Sequence, residues 1–261
     1  MTDNCQPWTA HLQPVLDPVL AAWASGVPVV DALNRAMPRA PPLLPAGPLR
    51  FVPQATMPPG EAYEAFIHRT ASVPTRNNLH DLFNGLVWLA RPALKTRLNA
   101  LQAAEIRRAG IGAQRGRLRD ALTLFDENGA VLDGPAEVLA ALVADLRARD
   151  WTALFITHRA RWAQVRLTVI GHALLEQLAS APRKPLTAHV LVADPLRLSA
   201  EGWASKPFLP LPVLGVPGWW PANEAADFYA DAAVFRPLRL DARQTAKQAG
   251  DQAGRKPSID R

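Results

Sequence analysis

The sequence predicts a predominantly helical α+β single domain with a small sheet or hairpins and long proline-rich loops. Three observations lead there. Apolar residues keep i, i+3, i+4 spacing through most of the chain; two short runs, Val165 to Ile170 and Ala188 to Val192, read instead as strands; and prolines, 25 of 261 residues, crowd the segments 38–59 and 205–221. A hydrophobic content of 49% supplies one sizeable core. We therefore expect one globular domain over residues 1–240 and a disordered C-terminal tail over 241–261, where apolar residues become sparse.

From Trp8 to Met37, Leu12, Val15, Leu16, Leu20 and Trp23, then Val29, Val30 and Leu33, give two short helices, with Pro28 opening the second. Between Pro38 and Pro59 each proline fixes φ and removes a backbone donor, so regular structure is not expected to persist. Glu61 to Arg69 is a short helix. Asn78 caps the next, which runs to a stop before Pro92, and Pro92 opens another that Gly110 ends. Gly110 to Arg119 is a basic loop. Asp120 to Leu132 contains the turn signal Asp126-Glu127-Asn128-Gly129, read here as a hairpin, the alternative being a helix with a tight exit. Pro135 opens a helix through Leu146, and another begins near Thr152. A strand at Val165 to Ile170, a helix from His172 to Leu178 and a strand at Ala188 to Val192 follow. Residues 205–221 are too proline-rich for either element.

Composition narrows the functional classes. The single cysteine, Cys5, has no partner in the chain, which excludes an intramolecular disulfide and a cysteine-rich zinc site and suits a cytoplasmic location. No apolar run approaches the roughly 20 residues of a membrane span, so no membrane association is expected. The net charge of +6 favours acidic partners, but it is mostly arginine in an Ala- and Pro-rich chain, so it supports nucleic-acid binding only weakly.

Four groups of residues could carry chemistry. On a helix, His80, Asn84 and Trp88 share one face at i, i+4 steps with Asp81 beside them; capping by Asn78 and Asp81 is the plainer reading. His172 and Glu176 set an imidazole and a carboxylate on one helix face, and His189 in the next strand can converge on it, so His172, Glu176 and His189 form a divalent-metal candidate, with His80 or Asp126 as further ligands. The plainer reading makes His172 backbone-bonded, Glu176 solvated and His189 buried and neutral. Asp120, Thr123, Asp126 and Glu127 offer oxygen ligands, although Asp126 to Gly129 is also ordinary turn chemistry. Arg107, Arg108, Arg115, Arg117 and Arg119 surround Gly110, Gly112 and Gly116, and Arg115, Arg117 and Arg119 could hold a phosphate; a solvated basic loop is the simpler alternative.

The segments NLHDLFNGLVWLARPALKTRLNALQ, LRDALTLFDENGA, GHALLEQL with TAHVLV, and PVLGVPGWWPANEAADFYADAAVFRP, taken together and in this order, resemble an uncharacterised bacterial domain-of-unknown-function family over about Pro41 to Arg239. The resemblance implies that His80, Asp81, Asn84, Asn99, Asp120, Asp126, Glu127, His172, Glu176 and His189 sit inside the blocks that define the family. It implies no particular reaction. The functional expectation is therefore a metal-assisted or acid–base hydrolase with His80, Asp81, Asn84, Asp126 and Glu127 as catalytic candidates. The alternative is a non-enzymatic binding protein using the basic loop for nucleic acid or phosphate, or the aromatic stretch around Trp219 and Trp220 for a protein partner.

Overall fold

Prolines or side-chain caps mark the starts of most of the helices. In the computed structural model, which describes residues 6–110 and 116–238, a 3-10 turn at Pro7–Leu12 leads into α1 (Gln13–Ala24), and α2 (Val29–Arg35) follows Pro28. Three short strands come next, β1 (Leu43–Leu44), β2 (Gly47–Pro48) and β3 (Arg50–Pro53), before α3 (Tyr63–Thr70) and β4 (Ser72–Thr75). The segment 38–59 is thus not devoid of regular structure. Phe51 is clamped by Asn34, whose amide donates to the Phe51 carbonyl and accepts from its N–H, and β3 runs parallel to β4 in an isolated pair. Short edge strands accommodate Pro48 and Pro53, because only one side of each must be paired.

Asn78 caps α4 (Leu79–Ala90) by accepting from the Asp81 N–H at 2.8 Å, and Pro92 opens α5 (Pro92–Ala109) where its missing N–H would have no partner. Residues 117–128 then form α6 (Arg117–Asn128), which corrects the hairpin expectation. Ala121, Leu122 and Phe125, all fully buried, repeat with helical spacing, and packing that stripe outweighs the turn preference of Asp126-Glu127-Asn128. Those residues become the last turn of the helix, and β5 (Gly129–Asp133) leaves it directly.

After β5 come α7 (Ala136–Ala148), a π-helical turn at Ala153–Thr157, β6 (Arg166–Val169), α8 (His172–Ser180), β7 (Thr187–Leu191), the short α9 (Ala200–Ala204) and β8 (Leu209–Pro212). The last strand lies within the stretch read as irregular; it is an edge strand, where Pro210 and Pro212 are tolerated. The sheet order is β6-β5-β7-β8, with β5 and β7 parallel and the other pairs antiparallel. The protein is α+β and mainly helical, and among the described residues no helix is long and apolar enough to cross a membrane. One buried cluster extends from Trp8 to Phe235. In its C-terminal part Phe155 stacks between Trp162 and Tyr229, and fully buried Asn223 ties the proline-rich stretch down by donating to the Leu214 and Val216 carbonyls.

Four helices close into a ring, α4 against α5, α5 against α6, α6 against α8 and α8 against α4, with α3 packed on α5. One glycine allows the ring to close. A Cβ on Gly171 would lie 2.4–2.5 Å from backbone atoms of Glu127 and Asn128, so only glycine lets the start of α8 dock on the end of α6. Gly171→Ala is expected to destabilise the protein by about 1–3 kcal/mol, because the clash is with backbone rather than a movable side chain. Urea denaturation checks this, and an unchanged midpoint would count against it.

Candidate functional site

The helix ring presents polar side chains inward, and they line a cavity of about 680 Å³ bordered by Tyr63, Glu64, His80, Asp126, Glu127 and His172 among others. The underlying order is helical periodicity. From α6 come Arg119, Thr123, Asp126 and Glu127, spaced i, i+4, i+7 and i+8; α5 contributes Gln102 to the lining, while Lys95 and Asn99, on the same face at i−7 and i−3 and likewise buried, bond to the lining residues Asp126 and Glu64.

At the floor a lysine and an aspartate are withdrawn from water together. Lys95 Nζ donates to Asp126 Oδ1 at 2.5 Å and to Asn84 Oδ1 at 2.9 Å, while Asn84 Nδ2 donates to Tyr63 Oη at 2.9 Å. The Lys95 side chain is 5% exposed and lies 5.4 Å from the Trp88 ring centre. Burial alone would raise the Asp126 carboxyl, but neighbouring positive charge, Lys95 foremost, outweighs it and holds the group below the usual carboxylate range. Glu64, receiving the Asn99 amide, moves the other way: burial raises it and the charge of Asp126 raises it further. Burial likewise holds the Tyr63 phenol well above its ordinary value.

Above this floor two imidazoles meet. His172 Nδ1 lies 2.7 Å from the Asp126 backbone carbonyl, which can only accept, so Nδ1 carries the proton. His80 Nδ1 lies 2.9 Å from Glu176 Oε2 and donates to that carboxylate. In their neutral forms each ring then keeps its lone pair on Nε2, and those two atoms face each other at 3.1 Å. Burial pushes His172 down to about 4, against the opposing pull of Asp126 and with the positive charges of Lys95 and His80 adding to the effect. Two bare acceptors at that separation would repel; a proton on one Nε2, which makes a hydrogen bond between the rings, or a metal cation shared by both removes the repulsion. Two nitrogens bound to one zinc ion, each at about 2.0–2.1 Å with an angle of about 90–110°, stand about 2.9–3.4 Å apart. Glu127 Oε2 lies 3.8 Å from His172 Nε2, and His80, Glu127 and His172 each offer a ligand atom, all within 4.8 Å of one another.

The residues singled out by sequence divide as follows. His80, Asp81, Asn84, Asp126 and Glu127 all line the cavity. Asp81, however, is occupied by Arg76, accepting its N–H at 2.6 Å and its guanidinium at 2.8 Å, and Asn84 and Asp126 are held by Lys95. Of His172, Glu176 and His189, the first faces the cavity, the second stands behind His80, and the third does not line it: the His189 ring sits 6.0 Å from Phe208, and burial, then Lys206, lowers its pKa. Arg119 lines the cavity, Arg117 is exposed outside it, and Arg115, Gly112, Cys5 and the tail lie outside the described residues. Asp120 pairs with Lys206 on the surface. Trp219 is half-buried, its ring 6.2 Å from that of Trp8.

Sequence reasoning missed Lys95, Tyr63, Glu64 and Gln102. The signal for two of them lay in α5, where Lys95, Asn99 and Gln102 interleave with Leu94, Leu98 and Ile106 instead of occupying the opposite face. Lys95→Met is expected to cost about 3–5 kcal/mol, since it strands the Asp126 carboxylate in a buried site. Asp126→Asn in the same chain should recover much of that loss. Chemical denaturation at pH 7 measures both, and a single variant as stable as the double would refute the assignment.

A family model described as "Protein of unknown function (DUF3025)" matches residues 49–199 and 191–239, well over half of the chain. No curated protein and no solved structure matches it.

Proposed function

The chain belongs to the DUF3025 family, and we propose that it is a metal-dependent hydrolase whose divalent ion is held by His80 Nε2, His172 Nε2 and Glu127. The observation that carries this reading is the pair of Nε2 atoms 3.1 Å apart, each with its Nδ1 already engaged by an acceptor. Metal-bound histidines usually donate their second ring N–H to a carboxylate or a carbonyl, and here one ring does each. Glu176 thus orients His80 as a positioning residue, and the Asp126 carbonyl orients His172.

Two imidazoles and one carboxylate leave coordination positions open for water and substrate. Held by His80, His172 and Glu127, a divalent ion would supply Lewis-acid polarisation of a scissile carbonyl or phosphoryl group and activation of water. The chain's own contribution is a polar cavity wide enough for substrate, with Lys95 and Asp126 fixing the backbone beneath His172. The ligand types suit zinc and other first-row transition metals better than calcium or magnesium. Cys5, the only cysteine, is consistent with a cytoplasmic setting.

Protein purified without chelator is expected to contain about one equivalent of transition metal by elemental analysis. His80→Ala and His172→Ala should lose it while keeping the native circular dichroism spectrum. Glu176→Gln should retain the site with affinity weakened about 10- to 100-fold. Metal-free native protein that also fails to bind added zinc would overturn the proposal.

A further inference from the structure

The cavity has a second pole. Arg119 and Thr123 stand one turn apart on α6, and Arg119 is eight residues, about 12 Å of helix, from Glu127. Two contacts set how α5 and α6 lie beside each other: Lys95 meets Asp126 near one end, and near the other Glu105 Oε1 lies 3.5 Å from where a Cβ on Gly116 would sit. Gln102 therefore stands level with Arg119 on the neighbouring helix, and both line the cavity.

Asp81 is taken by Arg76, Asp126 by Lys95, and Glu105 by Arg108; Glu64 receives Asn99 and is biased toward its neutral form by burial, and the Arg119 charge acts on Glu64 and Glu105 without a direct ion pair to either among the described residues. Among the described residues the buried Arg119 Nε has no hydrogen-bond partner, and the Gln102 amide and Thr123 hydroxyl make no side-chain hydrogen bond. A guanidinium fork, an amide and a hydroxyl approaching from two helices match the several oxygens of a tetrahedral anion better than the two of a carboxylate.

We propose that Arg119, with Gln102 and Thr123, seats a phosphate group of the substrate at the end of the cavity opposite His80 and His172. The placement of substrate rests on the metal reading above; the anion site itself does not. The substrate class is then a phosphorylated small molecule long enough to reach from Arg119 to the paired histidines.

The test is calorimetric titration of the full chain with inorganic phosphate and, separately, with acetate at low salt. Wild type should bind phosphate more tightly than acetate. Arg119→Gln should weaken phosphate binding at least about tenfold, Arg119→Lys should fall between, and all variants should keep the wild-type melting temperature within a few degrees. His172→Ala, lacking the proposed metal ligand, should still bind phosphate. Arg119-dependent phosphate binding in a protein that holds no metal would sustain this inference while the metal reading failed. Metal retained with phosphate binding unchanged in Arg119→Gln, phosphate binding lost in His172→Ala but not in Arg119→Gln, or acetate binding as tightly as phosphate would overturn it.

Discussion

Where α6 ends and α8 begins, the backbone of Gly171 presses against Glu127 and Asn128, and the Gly129 carbonyl accepts both the Ile170 and the Gly171 N–H at 2.8 Å. This contact ties the exit of one helix to the entry of another across more than forty residues of chain. Because Asp126 and Glu127 occupy the last turn of α6 and His172 the first residue of α8, it delivers a carbonyl, a carboxylate and an imidazole to one point. His80 arrives from α4, which packs on α8 and whose start is set by the Asn78 cap. The local constraint is steric, and its consequence is chemical.

The buried pair of Lys95 and Asp126 complements that constraint. Taking both charges out of water is unfavourable, and their attraction offsets this only with good geometry and additional hydrogen bonds. Asn84 and Tyr63 extend the network on the lysine side. Hydrophobic residues of similar volume could fill the same space, so the pair is weak evidence for stability as such. Its position suggests another role: it holds the helical turn whose backbone carbonyl orients His172. The polar floor and the histidine pair are mechanically one unit.

Much of this was legible in the sequence. The proline at position 92, the Asn78 cap and the apolar spacing of α4, α5 and α8 set those helices, and the shared face of His80 and Asn84 follows from periodicity alone. Asp126 and Glu127 were legible as chemistry but placed in a hairpin, since a dense turn motif conceals a helix whose proof is the burial of Phe125 and Leu122. The meeting of His80 with His172 depends on tertiary packing across 92 positions, which no local pattern encodes. His189 shows the converse: its spacing after His172 suggested convergence, yet strand pairing leaves its ring against Phe208. Lys95 was hidden because a lysine on a helix is ordinarily solvated, and only a partner 31 residues away makes its burial tolerable.

The central claim, a cation shared by His80 and His172, is tested most directly by anomalous X-ray diffraction from crystals of the protein grown without chelator and supplied with zinc. The account predicts one strong peak about 2.0–2.1 Å from each Nε2 and within coordinating reach of Glu127. Full occupancy elsewhere, with a continuous hydrogen bond between the two imidazoles and no peak between them, would contradict it.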